Sequence, residues 1–149
     1  GLHGKIFTVF KIKTMLESSG DISTVTTSND PRITKVGNFF RRTKIDELPQ
    51  LWNVFIGKMS FVGPRPDVSG FADKLSGKDA LILSIRPGIT GPAAIKYREE
   101  ESILAMQKNP VKYNKEIIWP DKVAINLNYI QNWSLFLDLK YILMTIFKI

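Results

Sequence analysis

A chain of 149 residues with 44% hydrophobic and 23% charged side chains has ordinary globular composition. One domain spanning 1–149 is expected, and disordered, collagen-like or low-complexity architectures are excluded. Cysteine is absent and His3 is the single histidine, so disulfides, thiolate zinc sites, cysteine nucleophiles, histidine metal clusters and a Ser-His-Asp triad lack their residues. The net charge is +7, and residues 1–66 carry most of the excess, with ten basic against five acidic side chains. A basic half suits nucleic acid, anionic lipid or a phosphorylated substrate, and charge alone does not choose among them.

The first predicted element is a strand over Lys5–Lys13, where β-branched and aromatic residues alternate with lysines. This stretch has no continuous apolar core of the signal-peptide kind. A chain opening on Gly1 rather than Met reads as a processed or trimmed product. Residues 17–29, rich in Ser and Thr, read as a solvated loop. Asp30-Pro31 opens a short segment ending near Gly37, and 38–42 suggest a helical turn or short helix. Thr43 is the expected cap of the next helix, with Asp46 three positions on, Pro49 in its first turn and Gly57 as its stop. Leu48, Leu51, Trp52 and Phe55 fall on it at helical spacing.

The two prolines flanking Arg65 in Gly63-Pro64-Arg65-Pro66 impose an extended backbone. An amphipathic helix is expected over 67–84, interrupted at Gly77, followed by a second rigid turn over Arg86–Pro92. Further helices are expected near 97–109 and 119–132, the latter opened by Pro120-Asp121. A terminal helix runs from the cap Ser134 to about Lys148. Its apolar arc suits either core packing or a membrane interface. It is not a transmembrane span, because 135–149 contain Asp138, Lys140 and Lys148 and fall short of the ~20 residues required. The expected fold is α+β and helix-dominated, with a small antiparallel sheet or hairpin formed by the N-terminal strand and residues near 60–64.

Two constellations can carry chemistry. Asp46-Glu47 places adjacent carboxylates at a predicted helix start, where an aspartate can attack a phosphoryl group or hold Mg²⁺ and a glutamate can hold the metal or move a proton. Acidic residues also favour a first turn for purely structural reasons. The second constellation is Arg32, the Arg41-Arg42 pair, Arg65 and Arg86, of which Arg32, Arg65 and Arg86 adjoin prolines that hold the backbone in place. Guanidinium forks suit diphosphate oxygens. For the nucleic-acid alternative there is no zinc-finger spacing, aromatic RNP pattern or Gly-rich KH loop.

In chain order, Lys11-Ile12-Lys13-Thr14-Met15, Asp30-Pro31-Arg32-Ile33-Thr34, Ile45-Asp46-Glu47-Leu48-Pro49-Gln50-Leu51-Trp52-Asn53-Val54, Met59–Pro66 and Arg86–Gly91 together resemble the catalytic domain of the bacterial sugar transferases. These monotopic phosphoglycosyl transferases begin capsule, exopolysaccharide and glycan assembly at the cytoplasmic face of the bacterial inner membrane. The resemblance implies transfer of a sugar-1-phosphate from a UDP-sugar to a polyprenol phosphate such as undecaprenyl phosphate, with release of UMP and dependence on Mg²⁺. It implies Asp46 as nucleophile through an aspartyl phosphosugar intermediate and Glu47 as its partner for metal or proton. It implies Lys13, Arg41 and Arg65 as substrate-binding cations, to which the proline-braced Arg32 and Arg86 are added from the constellation above. On this reading the Asp46 carboxylate should lie outside deep packing and within a magnesium bridge of Arg41 and Arg65.

Departures from the family pattern are Lys58 in place of an acidic residue, Pro92-Ala93-Ala94 in place of Trp-Ala-Gln, and Asn126 in place of an aspartate. The family's re-entrant membrane segment, normally upstream of the first motif, has no counterpart in these residues, so a soluble fragment is expected. The alternative is a non-catalytic membrane-surface or partner-binding module of the same fold.

Overall fold

Capping chemistry and close backbone approach set the first half of the chain. The computed structural model describes residues 1–17, 26–28, 30–68 and 70–148, so most of the loop expected over 17–29 lies outside the described residues. Thr34 caps α1 (Lys35–Thr43), its hydroxyl accepting from the Gly37 amide at 2.9 Å; the helix is longer than the turn expected at 38–42. A Cβ on Gly37 would come within 2.1 Å of the Thr14 carbonyl oxygen, so glycine is what lets α1 lie against the chain at residue 14. Thr43, expected to cap the following helix, instead ends α1 and donates back to the Phe39 carbonyl at 2.8 Å. Lys44 takes a left-handed conformation (φ 61°) and turns the chain into one 3-10 turn, Ile45–Glu47. Pro49 then leads into α2 (Gln50–Phe55), and Gly57 at φ 71° ends it as expected.

The strand expected over 5–13 is corrected. Among the described residues the segment forms no ladder, and several of its backbone groups are taken by the following elements instead. The Phe10 amide donates to Asn53 Oδ1 at 3.1 Å, Asn53 Nδ2 donates to the Thr8 carbonyl at 2.8 Å, and the Ile12 amide donates to the Asp46 carbonyl at 3.0 Å. With these groups satisfied by a side chain and a turn, a partner strand is not needed. Residues 5–13 are therefore a strap across α2 and the turn before it. A single antiparallel bridge, Met15 with Ile33, follows it.

The sheet is parallel rather than antiparallel. β1 (Ser60–Val62) pairs with β2 (Gly88–Thr90), Ser60 opposite Gly88 and Val62 opposite Thr90. The close approach needs glycine: a Cβ on Gly88 would meet the Gly63 nitrogen at 2.2 Å. Residues 67–84, expected to be helical, instead form 3-10 turns at Ala72–Lys74 and Asp79–Ser84. Gly70 and Gly77 adopt φ of 104° and 58° in this stretch, and such residues break a right-handed helix.

The helix expected near 97–109 is the shorter α4 (Glu100–Ala105), and it is preceded by an unforeseen helix, α3 (Pro92–Lys96), which opens at the end of the second rigid turn. α5 (Pro110–Tyr113) passes through a π-helical turn (Asn114–Ile118) into α6 (Trp119–Gln131). α6 has nearly the expected bounds of 119–132, with Pro120 and Asp121 in its first turn; the π-helical turn before it accommodates a ring that has no N–H to offer and joins α5 to α6 without a break. α7 (Leu135–Phe147) begins where expected, with Ser134 accepting the Leu137 amide at 3.2 Å. Met59, Val62, Ile82, Ala93, Leu104, Ile118, Val123 and Tyr129 form the buried core. α7 packs on β1, β2 and α3, and is held by a Thr90–Thr145 hydroxyl contact of 2.5 Å and by Arg98 on the Met144 carbonyl at 2.9 Å. The α+β, helix-dominated class expected from sequence holds.

Candidate active site

The 3-10 turn before α2 carries the acidic pair into the protein. Asp46 is 2% exposed and Glu47 7%, an expensive location for carboxylates unless each is paired. Asp46 Oδ2 lies 3.4 Å from Lys11 Nζ, and Glu47 Oε1 lies 3.9 Å from the same ammonium. Arg65 grips Glu47 through both guanidinium nitrogens, Nη2 to Oε1 at 2.6 Å and Nη1 to Oε2 at 3.2 Å. Burial alone pushes the Glu47 carboxyl up, but the Arg65 fork, aided by Lys44 and Lys11, more than offsets this and holds it below its ordinary range. Asp46 Oδ1 is buried with no hydrogen-bond partner. The Lys11 side chain above the pair is 41% exposed, so the Asp46 carboxylate sits one side chain below solvent, covered by the strap. The openness expected of this carboxylate is not observed.

The cations foreseen from sequence separate into distinct groups. Arg65 alone of them meets the acidic pair. Arg41 donates to Thr14 Oγ1 at 3.3 Å and pairs with Glu101 on α4, while its Nε is buried without a partner. Arg32 clasps Asp30, Nε to Oδ1 at 2.9 Å and Nη2 to Oδ2 at 2.6 Å. That two-pronged bond holds the Asp30 carboxyl down at about 2. Arg86 donates from Nε to the Gly57 carbonyl at 2.8 Å and so ties the second rigid turn to the end of α2. Lys13 pairs with Glu17. The cation over Asp46 is Lys11, which the sequence reading passed over. Lys11 and Lys13 are equivalent by pattern, and only the anchoring of Phe10 and Ile12 decides which one reaches the pair. Asn53 was likewise missed, having no charge or spacing to mark it.

A cavity of about 120 Å³ opens between the strap, the Pro64–Pro66 turn and α6; Arg65 joins it to the acidic pair, and Asp46, Glu47 and Lys11 are not part of its wall. Arg65, Asp67, Trp119 and Asn126 contribute to its wall. Asn126 is 6% exposed and its Oδ1 has no partner. Among the described residues no group of three or more His, Asp or Glu side chains could hold a metal ion by itself. Asp46 and Glu47 are the side chains that would hold a magnesium ion arriving with a phosphate ligand, since Mg²⁺ is commonly held by one or two carboxylates. Arg65 takes both Glu47 oxygens here, so the ion would have to displace part of that grip.

The chain matches the family model described as bacterial sugar transferase over residues 1–149. It is 39% identical over 153 residues to the UDP-glucose:undecaprenyl-phosphate glucose-1-phosphate transferase of Escherichia coli (strain K12), covering 99% of this chain and 30% of that protein. It is 38% identical to an uncharacterised sugar transferase, EpsL, of Bacillus subtilis (strain 168), covering 100% of this chain and 65% of the relative. It is 35% identical to the undecaprenyl-phosphate glucose phosphotransferase of Komagataeibacter xylinus, covering 98% of this chain and 27% of the relative. The chain thus spans from under a third to about two thirds of the length of these relatives. With the motifs, the acidic pair gripped by Lys11 and Arg65, and a family match from end to end, this chain belongs to the bacterial sugar transferase family.

Proposed function

We propose that this chain is the catalytic domain of a phosphoglycosyl transferase that moves a sugar-1-phosphate from a UDP-sugar to a polyprenol phosphate. The observation that carries the reading is that Asp46 Oδ1 has no partner among the described residues and sits beside Glu47, Lys11 and Arg65. Its burial runs against the openness this reading expects, so Lys11 must be displaced for a donor to reach it. Relatives of this sequence bear the names of undecaprenyl-phosphate sugar phosphate transferases, which supports the substrate classes.

In the first step Asp46 Oδ1 attacks the sugar-linked phosphorus of the donor, forming an acyl phosphate bond while the bond to UMP breaks and UMP leaves. In the second step a phosphate oxygen of the polyprenol attacks the same phosphorus, and the Asp46 carboxylate is released. A carboxylate and a diphosphate repel one another, so the attack depends on cations at close range. Lys11 supplies one at Asp46; Arg65 holds Glu47 through both terminal nitrogens and contributes to the wall of the adjoining cavity. Asp46 and Glu47 would hold a magnesium ion, which when bound would add further neutralisation of the donor phosphates. Because the Lys11 ammonium covers Asp46, donor binding must turn it from the carboxylate toward the donor phosphates while the strap that bears it stays pinned.

The acceptor is a membrane lipid, so the domain must work at a bilayer surface. Among the described residues no helix is long and apolar enough to cross a membrane. Leu135, Phe136, Leu139, Leu143, Ile146 and Phe147 of α7 are each at least half exposed, as an interfacial helix requires.

The covalent step is tested by incubating the full gene product with Mg²⁺ and UDP-sugars labelled in the sugar, then denaturing it. The expected result is label retained on the wild-type chain and absent from Asp46→Asn. Label held equally by Asp46→Asn, or lipid-linked product made without any protein-bound label, would overturn the mechanism.

A further inference from the structure

Lys11 reaches Asp46 only because the backbone on both sides of it is pinned. On one side the Phe10 amide donates to Asn53 Oδ1 at 3.1 Å, and on the other the Ile12 amide donates to the Asp46 carbonyl at 3.0 Å. Asn53 closes the grip by donating from Nδ2 to the Thr8 carbonyl at 2.8 Å. One amide thus serves an acceptor and a donor of the same extended segment, as a neighbouring strand would. Asn53 is 1% exposed, so its amide depends on these two partners in place of water. Apolar burial contributes little along the outer side of the strap, where Ile6, Phe10 and Ile12 are 91%, 43% and 36% exposed. The polar contacts therefore decide where this segment lies.

We propose that Asn53 is a positioning residue for the reaction: it latches the strap at Thr8 and Phe10 and thereby sets Lys11 on the Asp46-Glu47 pair. The assignment rests on the reading of Asp46 as the reacting carboxylate, but the latch is a property of the fold and can be measured without turnover. Asn53 touches no reacting atom and acts through Lys11. Once the latch is removed, Lys11 remains in the sequence yet no longer has a fixed position over the pair.

The test compares Asn53→Ala, Lys11→Met and the double variant in the full gene product, with thermal melting to confirm folding. Amide hydrogen exchange is read at Phe10 and Ile12, and steady-state turnover is read with a UDP-sugar and a polyprenol phosphate. In Asn53→Ala exchange at both amides is expected to rise at least about tenfold, whereas Lys11→Met leaves it unchanged. Each single variant is expected to lower kcat/KM about tenfold, the worth of one charge-assisted contact. The double variant should fall no further than the weaker single, because both remove the same contact. Asn53→Asp keeps the acceptor for Phe10 and loses the donor to Thr8; it is expected to show an intermediate exchange rate and serves in the cycle if Asn53→Ala fails to fold. Unchanged exchange at Phe10 and Ile12, or losses that multiply in the double variant, would overturn the proposal. Faster exchange together with an Asp46→Asn variant that still takes label would refute the transferase mechanism and leave the latch standing.

Discussion

Glu47 shows how one arginine decides whether a buried carboxylate is tolerable. Both of its oxygens are taken by Arg65, and the glutamate side chain is 8% exposed against 43% for the arginine. Removing the arginine leaves a charge with little water and only Lys11 and Lys44 nearby. A fully buried pair broken in this way costs roughly 3–5 kcal/mol and an exposed one roughly 0–1, so Arg65→Met is expected to cost about 2 kcal/mol. For a chain of this length that lowers Tm by about 4–8 °C. Adding Glu47→Gln should recover most of the loss, since no buried charge is then left unpaired. The sign with pH follows from the depressed Glu47 carboxyl. The stabilisation from the pair is complete above the ordinary carboxylate range and is lost as acid protonates Glu47. Thermal melts should therefore show the widest gap between wild type and Arg65→Met near neutrality and a closing gap below pH 4.

At the scale of elements, the acidic pair and the Pro64–Pro66 turn are held in register by a sheet of two short strands. Its closeness depends on Gly63, Gly88 and Gly91, where an added Cβ would meet backbone atoms at 2.6, 2.2 and 2.5 Å. Gly57, in contrast, has open space around it and only its positive φ to answer for. Gly57→Ala should thus cost about 1–2 kcal/mol, the penalty of a left-handed residue with a side chain. Gly88→Ala forces backbone apart and should cost about 3 kcal/mol or more, moving Arg65 away from Glu47 as it does so. Urea denaturation of the two variants checks the order; a Gly88→Ala protein as stable as Gly57→Ala would show that the strands can separate freely.

For the whole molecule, the distribution of apolar surface is the feature with consequences. The stripe Leu48, Leu51, Trp52 and Phe55 follows helical spacing, yet its members are 45–79% exposed, with the Trp52 and Phe55 rings stacked 5.2 Å apart. α7 carries a second exposed apolar stripe while remaining tied to β2 through Thr145. Such patches on a basic protein suit an anionic bilayer surface, where each nearby Lys or Arg adds about 1 kcal/mol. Flotation with anionic liposomes should recover the 149-residue chain at low salt and less of it at high salt. The Phe136→Ser/Leu139→Ser variant should bind about tenfold more weakly, as expected when exposed apolar side chains lose their insertion energy. Absence of flotation at either salt would remove the interfacial role.

By itself the sequence determined the features that depend on near neighbours: the acidic pair, the order of the family motifs, the Ser134 cap of α7, the stop at Gly57 and the helix-dominated class. Each is written within a few consecutive residues, where spacing and side-chain type act directly on the backbone. Which cations meet the pair, that 5–13 is a strap rather than a strand, and that the sheet is parallel were decided by tertiary structure. The contacts responsible join Asn53 to Thr8 across 45 positions, Arg65 to Glu47 across 18 and Arg41 to Glu101 across 60. Such contacts follow from where the chain returns in space, so Lys11 and Lys13 look alike in the sequence while only one of them rests on Asp46.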